Sequence, residues 1–157
     1  MTDVPVKKLS RLNKMIDEII FKLTKPKVIF QGRDRSVYVY KNHVVKIPVM
    51  DSWFEFVRGL YSNLKELDNV KNYKGKFPES MPELLGSWFF GLIVVYRKYE
   101  EVIDEKDHRR RFWHHFERYR SFDDHQHSYL WDEDIKVENF GWNKYGQLVK
   151  LDLGTNY

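Results

Sequence analysis

The chain has no cysteine among its 157 residues. Disulfides and thiolate metal sites are therefore excluded, and the chain suits a reducing compartment. Proline and glycine are scarce, at 5 and 8 residues, and no internal repeat, low-complexity stretch or disordered tail stands out. Long hydrophobic runs are missing too. The longest strongly apolar stretch runs from Trp88 to Tyr96, far short of the roughly 20 residues of a membrane span. The opening stretch MTDVPVKKLSRLNK has no apolar core of the signal-peptide kind. A soluble cytoplasmic protein with no membrane partner is expected. Nor is charge of one sign in large excess: 27 Lys and Arg face 23 Asp and Glu, a net charge of +4. That balance admits a small anionic ligand and gives no reason to expect nucleic acid as a partner.

What is present suffices for a packed interior. Hydrophobic residues make up 42% and aromatics 17% of the chain, enough for one domain or two small lobes sharing one core. Leu9, Leu12, Ile16, Ile19, Ile20 and Leu23 recur at helical spacing, so residues 9–23 are predicted to be a helix with one apolar stripe. Lys25-Pro26 ends it. Short β-like runs follow: KVIF (27–30), the polar turn QGRDR, then SVYVY (36–40) and HVVKIPV (43–49) flanking a tight hairpin at Lys41-Asn42. Residues 51–68 read as a helix with Phe54, Val57, Leu60, Tyr61, Leu64 and Leu67 on one side. Residues 84–99 read as two strands with Gly91 near their turn. Residues 105 to about 130 turn helical again, with Phe112, Phe116, Tyr119 and Phe122 near one face. FGWN, a turn at Lys144-Tyr145-Gly146 and QLVKL close the pattern. The expected class is α+β.

Three short stretches carry chemistry. Asp134-Ile135-Lys136-Val137-Glu138-Asn139 places a carboxylate, a lysine two positions on and an amide five positions on. Asp152-Leu153-Gly154 adds a second carboxylate beyond the predicted hairpin. Val44-Val45-Lys46-Ile47 sets a lysine on a predicted strand. Together these resemble the catalytic loop, the metal-binding Asp-Phe-Gly (with Leu for Phe) and the nucleotide lysine of protein kinases. The resemblance runs from about Lys27 to Gly154. It implies an antiparallel N-lobe sheet and a reduced helical C-lobe. Within residues 1–157 as one kinase-like domain, it divides the chain into a leading helix (1–26), an N-lobe (27–101) and a C-lobe portion (102–157).

The resemblance also implies roles. Phosphoryl transfer depends on positioning and charge neutralisation more than on covalent help. Asp134 would accept the substrate hydroxyl's proton and Lys136 would lie against the γ-phosphate of ATP. Asn139 and Asp152 would hold Mg²⁺ through oxygen ligands. Lys46 would hold the α- and β-phosphates, paired with Glu55 early on the 51–68 helix or, second, with Glu66. Gly32, Arg33 and Ser36 would border the phosphates, with Arg33 or Arg35 supplying side-chain contacts. Lys98 and Tyr99, within the hinge Arg97–Glu101, would receive the adenine through backbone groups.

The sequence departs from the family in four places. Gly32-Arg33-Asp34-Arg35-Ser36 carries one glycine where the family uses several to bring backbone N–H groups to phosphate; such a loop resembles those of small bacterial and phage kinase-like proteins, which implies a host-cytoplasm setting if the chain is phage-encoded. Asp132 and Glu133 stand where the family has His and Arg, implying no phosphorylation switch. Leu153 replaces Phe. The chain stops at Tyr157, without the helices that bind a protein substrate. Three expectations stay open: a minimal protein Ser/Thr kinase, a weakly active or inactive module that binds a partner protein, and a chain completed by a second copy of itself. A small-molecule kinase resembling the aminoglycoside phosphotransferases ranks behind these. His114, His115, His125 and His127 read as solvated or loop histidines rather than a metal site. Arg109-Arg110-Arg111 reads as a solvated helix start, and Trp113 as core.

Overall fold

Short β-branched and aromatic runs separated by polar turns build a five-stranded antiparallel sheet. Its strands are β1 (Val28–Gln31), β2 (Arg35–Val39), β3 (His43–Pro48), β4 (Leu84–Trp88) and β5 (Ile93–Arg97), in the order β1-β2-β3-β5-β4. The hairpin at Lys41-Asn42 forms as predicted, with Tyr40 N–H donating to His43 O at 2.9 Å. Helices α1 (Arg11–Thr24) and α2 (Trp53–Asn72) accompany this sheet. A second, three-stranded sheet has the order β6-β7-β8, with β6 at Glu100–Glu101, β7 at Phe140–Trp142 and β8 at Leu148–Lys150. Helix α3 (Lys106–Arg120) packs beside it. The structure, a computed structural model, describes residues 11–72, 77–103, 105–121, 131–132 and 135–153. The end of the helix predicted to reach about residue 130 lies outside these. Among the described residues no helix is long and apolar enough to cross a membrane.

Both helices on the large sheet turn an unexpected face inward. Much of the predicted apolar stripe of α1 is open to solvent, with Leu12 and Ile19 about half exposed and Leu23 more so. Its buried residue is Asn13, whose Oδ1 accepts from Met50 N–H at 3.3 Å and whose Nδ2 donates to Gln31 at 3.2 Å. Asp17 accepts from the Tyr38 hydroxyl at 2.6 Å. Polar groups that would otherwise be stranded under the helix dictate this orientation. On α2 the predicted stripe is again turned outward: Phe54, Val57, Tyr61 and Leu64 are exposed, and Leu67 alone of the six is buried. The buried face is Gly59, Ser62, Asn63, Glu66 and Leu67. Side chains alternate along a strand. Ser36 and Tyr38, which meet Gln31 and α1, therefore point away from Arg35, which meets α2. The two helices lie on opposite faces of the sheet.

The smaller sheet has a different interior. Phe112, Phe116 and Tyr119 of α3 join Phe77, Trp131, Phe140, Trp142 and Leu148 in one cluster. Most of their rings meet edge-on or tilted, as in Phe112–Phe140 at 5.1 Å and Tyr119–Trp131 at 4.9 Å, while Phe112 and Phe116 stack, arrangements ring quadrupoles favour. Trp113 packs on Phe112 and Phe116 yet is half exposed, so it lies at the cluster's rim rather than in it. Phe77, just beyond α2, reaches into this cluster and ties the two sheets together.

Candidate active site

Arg35 opens β2 and Lys46 lies midway along β3. The register pairs Arg35 with Pro48 and Val37 with Lys46, which puts Arg35 and Lys46 on one face, under α2. The helix can come close because Gly59 has no side chain. A Cβ there would lie 2.2 Å from Asp34 O and 2.8 Å from Pro48 Cβ. Farther along the same helix face come Asn63 and Glu66, both fully buried. Glu66 Oε1 accepts from Lys46 Nζ at 2.6 Å, and its Oε2 pairs with Arg35 Nη1. Lys46 Nζ also donates to Leu151 O at 2.9 Å and stands 5.2 Å over the Tyr96 ring. Arg35 Nη2 donates to Asp152 Oδ1 at 2.7 Å.

The β7–β8 hairpin delivers Asp152. Phe140 pairs with Lys150, and one step further Leu151 N–H donates to Asn139 O at 2.7 Å. Asn139 and Asp152 therefore leave the open end of the hairpin side by side. Beyond Asp152 the chain is clamped: Leu153 is buried against Met81, and its carbonyl accepts from Asn69 Nδ2 of α2 at 2.8 Å. Two cations, Arg35 and Lys46, thus meet two carboxylates, Glu66 and Asp152, where the sheets adjoin. Burial works to lower the Arg35 pKa, but Glu66 and Asp152 outweigh it and hold the guanidinium charged. Burial above all, with Glu66 adding to it, raises the Tyr96 phenol and keeps it neutral.

The structure gathers Lys46 and Asp152 with Arg35 and with Glu66, the second-named partner of Lys46, while Asn139 borders them through its backbone bond to Leu151. Glu55 is not the partner of Lys46. It sits eleven residues before Glu66, roughly 16 Å back along the axis, in a capping box in which Ser52 Oγ accepts from Glu55 N–H at 3.2 Å. A partner for a lysine in mid-strand must come from mid-helix. Ser36 does not join the cluster either, since it faces α1. Gly32 N–H closes the turn onto Arg35 O at 2.8 Å, and Arg33 is exposed beside Asp34 at 3.4 Å. Asp34 in turn bonds Arg58 at 2.7 Å, tying the loop to α2. Lys136 is exposed ahead of the short 3-10 turn Val137–Asn139. Asp134 lies outside the described residues.

Lys98 and Tyr99 form the connection between the two sheets. Lys98 N–H donates to Asn42 O at 3.0 Å, and the Tyr99 hydroxyl accepts from Glu83 N–H at 2.8 Å. Both line a groove of about 1380 Å³ that also takes in Val70, Leu84 and Trp142, and none of Lys46, Glu66, Asn139 or Asp152. The charged side chains of the groove are exposed ones such as Arg97 and Glu83. The buried ions Arg35, Lys46 and Glu66 lie outside it, in the cluster. Among the described residues no group of three or more His, Cys, Asp or Glu side chains is arranged to hold a metal. His115 is not a solvated histidine: its ring is 5.6 Å from Trp142, and burial lowers its pKa. Arg111 lies 4.1 Å over the same indole.

No protein-family profile matches the chain, and no curated protein does. A solved structure does: the co-crystal structure of WbdD with the kinase inhibitor LY294002, at 15% identity and a TM-score of 0.56. The match covers 82% of this chain and 32% of WbdD, so the chain spans about a third of that protein's length. At this identity the likeness concerns architecture alone: an α+β chain whose antiparallel sheet and helices follow a kinase-like fold.

Proposed function

We infer that the chain is an ATP- and Mg²⁺-dependent phosphotransferase acting on a hydroxyl group, with a protein serine or threonine as the substrate. The observation that supports this reading is the meeting of Lys46, Glu66, Arg35 and Asp152 in one ion cluster, with the backbone of Asn139 bonded to Leu151 beside it. The donor set fits the group it would hold. Asn139 offers an amide oxygen and Asp152 a carboxylate, the ligands a hard divalent cation takes, with phosphate oxygens completing its shell. Lys46, held by Glu66, would contact the α- and β-phosphates, and the backbone of Arg97–Glu101 would receive the adenine. Bound Mg²⁺ would neutralise charge developing on the transferred phosphoryl group. Asp134 would take the proton of the attacking hydroxyl, and Lys136 would attend the γ-phosphate.

Transfer of labelled phosphate from ATP to a mixed protein substrate tests the reading, with Asp134→Ala and Asp152→Ala as controls. Wild type should label and both variants should lose at least a hundredfold. Equal labelling by all three would end the reading. Nucleotide binding is checked separately: at 100 times its dissociation constant Mg-ATP should stabilise the fold by about 2.7 kcal/mol.

One observation favours a second reading, a kinase-shaped module that works by binding a partner protein. Trp53, Phe54, Val57, Tyr61 and Leu64 expose apolar surface along α2. The β4–β5 turn beside Leu64 adds Phe89 and Phe90, both at positive φ and Phe90 98% exposed. Aromatic side chains held in a costly backbone conformation on an apolar surface suit a binding anchor. Under this reading Mg-ATP would leave the melting temperature unchanged.

A further inference from the structure

The resemblance gives Arg35 at most a phosphate contact, and no part in an ion pair with the carboxylates of the cluster. Its guanidinium forks between carboxylates from opposite ends of the chain, Glu66 on α2 and Asp152 after β8, the latter 117 residues away in sequence. Its side chain is only 10% exposed, and Asn63 Oδ1 stands 3.5 Å from Nη1. A guanidinium cannot shed its charge in a protein. The oxygen it engages, Asp152 Oδ1, belongs to the carboxylate that a divalent cation would need.

The charges decide what can enter. Among the described ion pairs of the cluster, Arg35 and Lys46 balance Glu66 and Asp152. A divalent cation arriving alone would leave two excess positive charges beside a guanidinium, in surroundings where like charges are poorly screened. A polyphosphate arriving with the cation would bring the missing negative charge. It would also offer the guanidinium the bidentate oxygens it prefers to a shared carboxylate. The loop before Arg35 contains one glycine, Gly32, and its N–H is already spent on Arg35 O, so a side-chain donor supplies what backbone donors do not.

We propose that Arg35 is a gate on the metal site: it occupies Asp152 until a polyphosphate draws it away, so that the divalent cation enters together with nucleotide and not before it. This rests on the phosphotransferase reading of the same cluster. It differs from a purely structural ion pair in the sign of its consequence. If Arg35 merely held Asp152 in place, removing it would weaken metal binding. As a gate, its removal strengthens binding of free metal.

The experiment is Mn²⁺ binding to the full chain, followed by electron paramagnetic resonance and calorimetry, with and without ADP. Wild type, Arg35→Gln and Arg35→Lys are compared, folding being checked by circular dichroism. Without nucleotide, Arg35→Gln should bind Mn²⁺ at least tenfold more tightly than wild type, and Arg35→Lys should fall between. With ADP the order should reverse. The wild-type arm needs no variant to fold: its Mn²⁺ affinity should rise at least tenfold when ADP is added. Where wild type binds ADP, equal Mn²⁺ affinity with and without it overturns the gate, as does free-metal binding by Arg35→Gln no tighter than wild type. If nucleotide binds normally and the gain at Arg35→Gln is absent, the gate fails and the phosphotransferase reading stands. If the gain appears and no protein binds nucleotide, Arg35 still guards Asp152 and the phosphotransferase reading fails.

Discussion

Helices α2 and α3 make opposite interfaces with the sheets they cover. The inner face of α3 is Phe112, Phe116 and Tyr119, set in a cluster of rings. The inner face of α2 is Gly59, Ser62, Asn63, Glu66 and Leu67, set over Arg35 and Lys46. The aromatic interface gains from removing apolar surface from water, about 1.5–3 kcal/mol for each side chain fully buried. The charged interface gains little, because desolvating ions costs about as much as their attraction returns. One interface therefore holds the fold together. The other holds a set of charges in register at little net gain in stability.

Substitution on each side should expose that difference. Phe116 is fully buried at the centre of the ring cluster. Phe116→Ala should cost about 4 kcal/mol in urea unfolding, from lost transfer energy and the cavity left behind. Glu66→Ala leaves two buried cations without their shared carboxylate and should cost about 3 kcal/mol. Replacing the ions together, as Arg35→Met, Lys46→Met and Glu66→Leu in one chain, should restore stability to wild type or above while abolishing any nucleotide response. A triple variant that is less stable than Glu66→Ala would show that the charges do hold the fold. No comparable rescue is expected at Phe116, because the side chain removed there carries no charge whose desolvation could be relieved.

A smaller effect tests how closely α2 must approach. On an exposed helix face Gly→Ala stabilises by about 1 kcal/mol. At Gly59 the new methyl would press on backbone at Asp34 and Pro48, which do not yield as a side-chain tip does. Gly59→Ala should therefore destabilise, by about 1–2 kcal/mol in thermal melts, as overpacking outweighs propensity. It should also weaken nucleotide binding by lifting Glu66 from Lys46. A stabilised variant would mean that the helix has room to spare.

The contrast also explains what could be read in advance. The strands and hairpins stood out, because alternation and turn residues are local properties. For α3 the apolar stripe was the buried one: Phe112, Phe116 and Tyr119 all went inside. For α2 the same reasoning pointed outward, since periodicity says which residues share a face and not what that face meets. Glu66 had a signal all the same. Ser62, Asn63 and Glu66 recur at helical spacing opposite the apolar stripe, and Arg35 and Lys46 sit among the β-branched and aromatic residues of adjacent strands, where a buried cation demands a carboxylate. Glu55 drew notice by lying early on the helix, a matter of order and not of distance. Arg35 looked like a loop residue because the strand's first position is not marked by composition. Its bond to Asp152 spans most of the chain, and no local pattern encodes that.

The smallest predicted effect belongs to the aromatic side and concerns pH. His115 sits against Trp142, and its pKa is lowered, first by burial and then by His114, Arg111 and Arg118. In the unfolded chain a histidine titrates near 6.5. As pH falls through that value the unfolded chain takes up a proton that the folded state resists, so stability should drop below about pH 6.5 and stay level above it. His115→Gln removes the group and should flatten the loss between pH 7 and pH 5 in urea titrations, leaving stability near pH 8 little changed. An unaltered slope would place the acid sensitivity elsewhere. Because His115 packs against Trp142 of the ring cluster, even a modest proton penalty there should register in global unfolding.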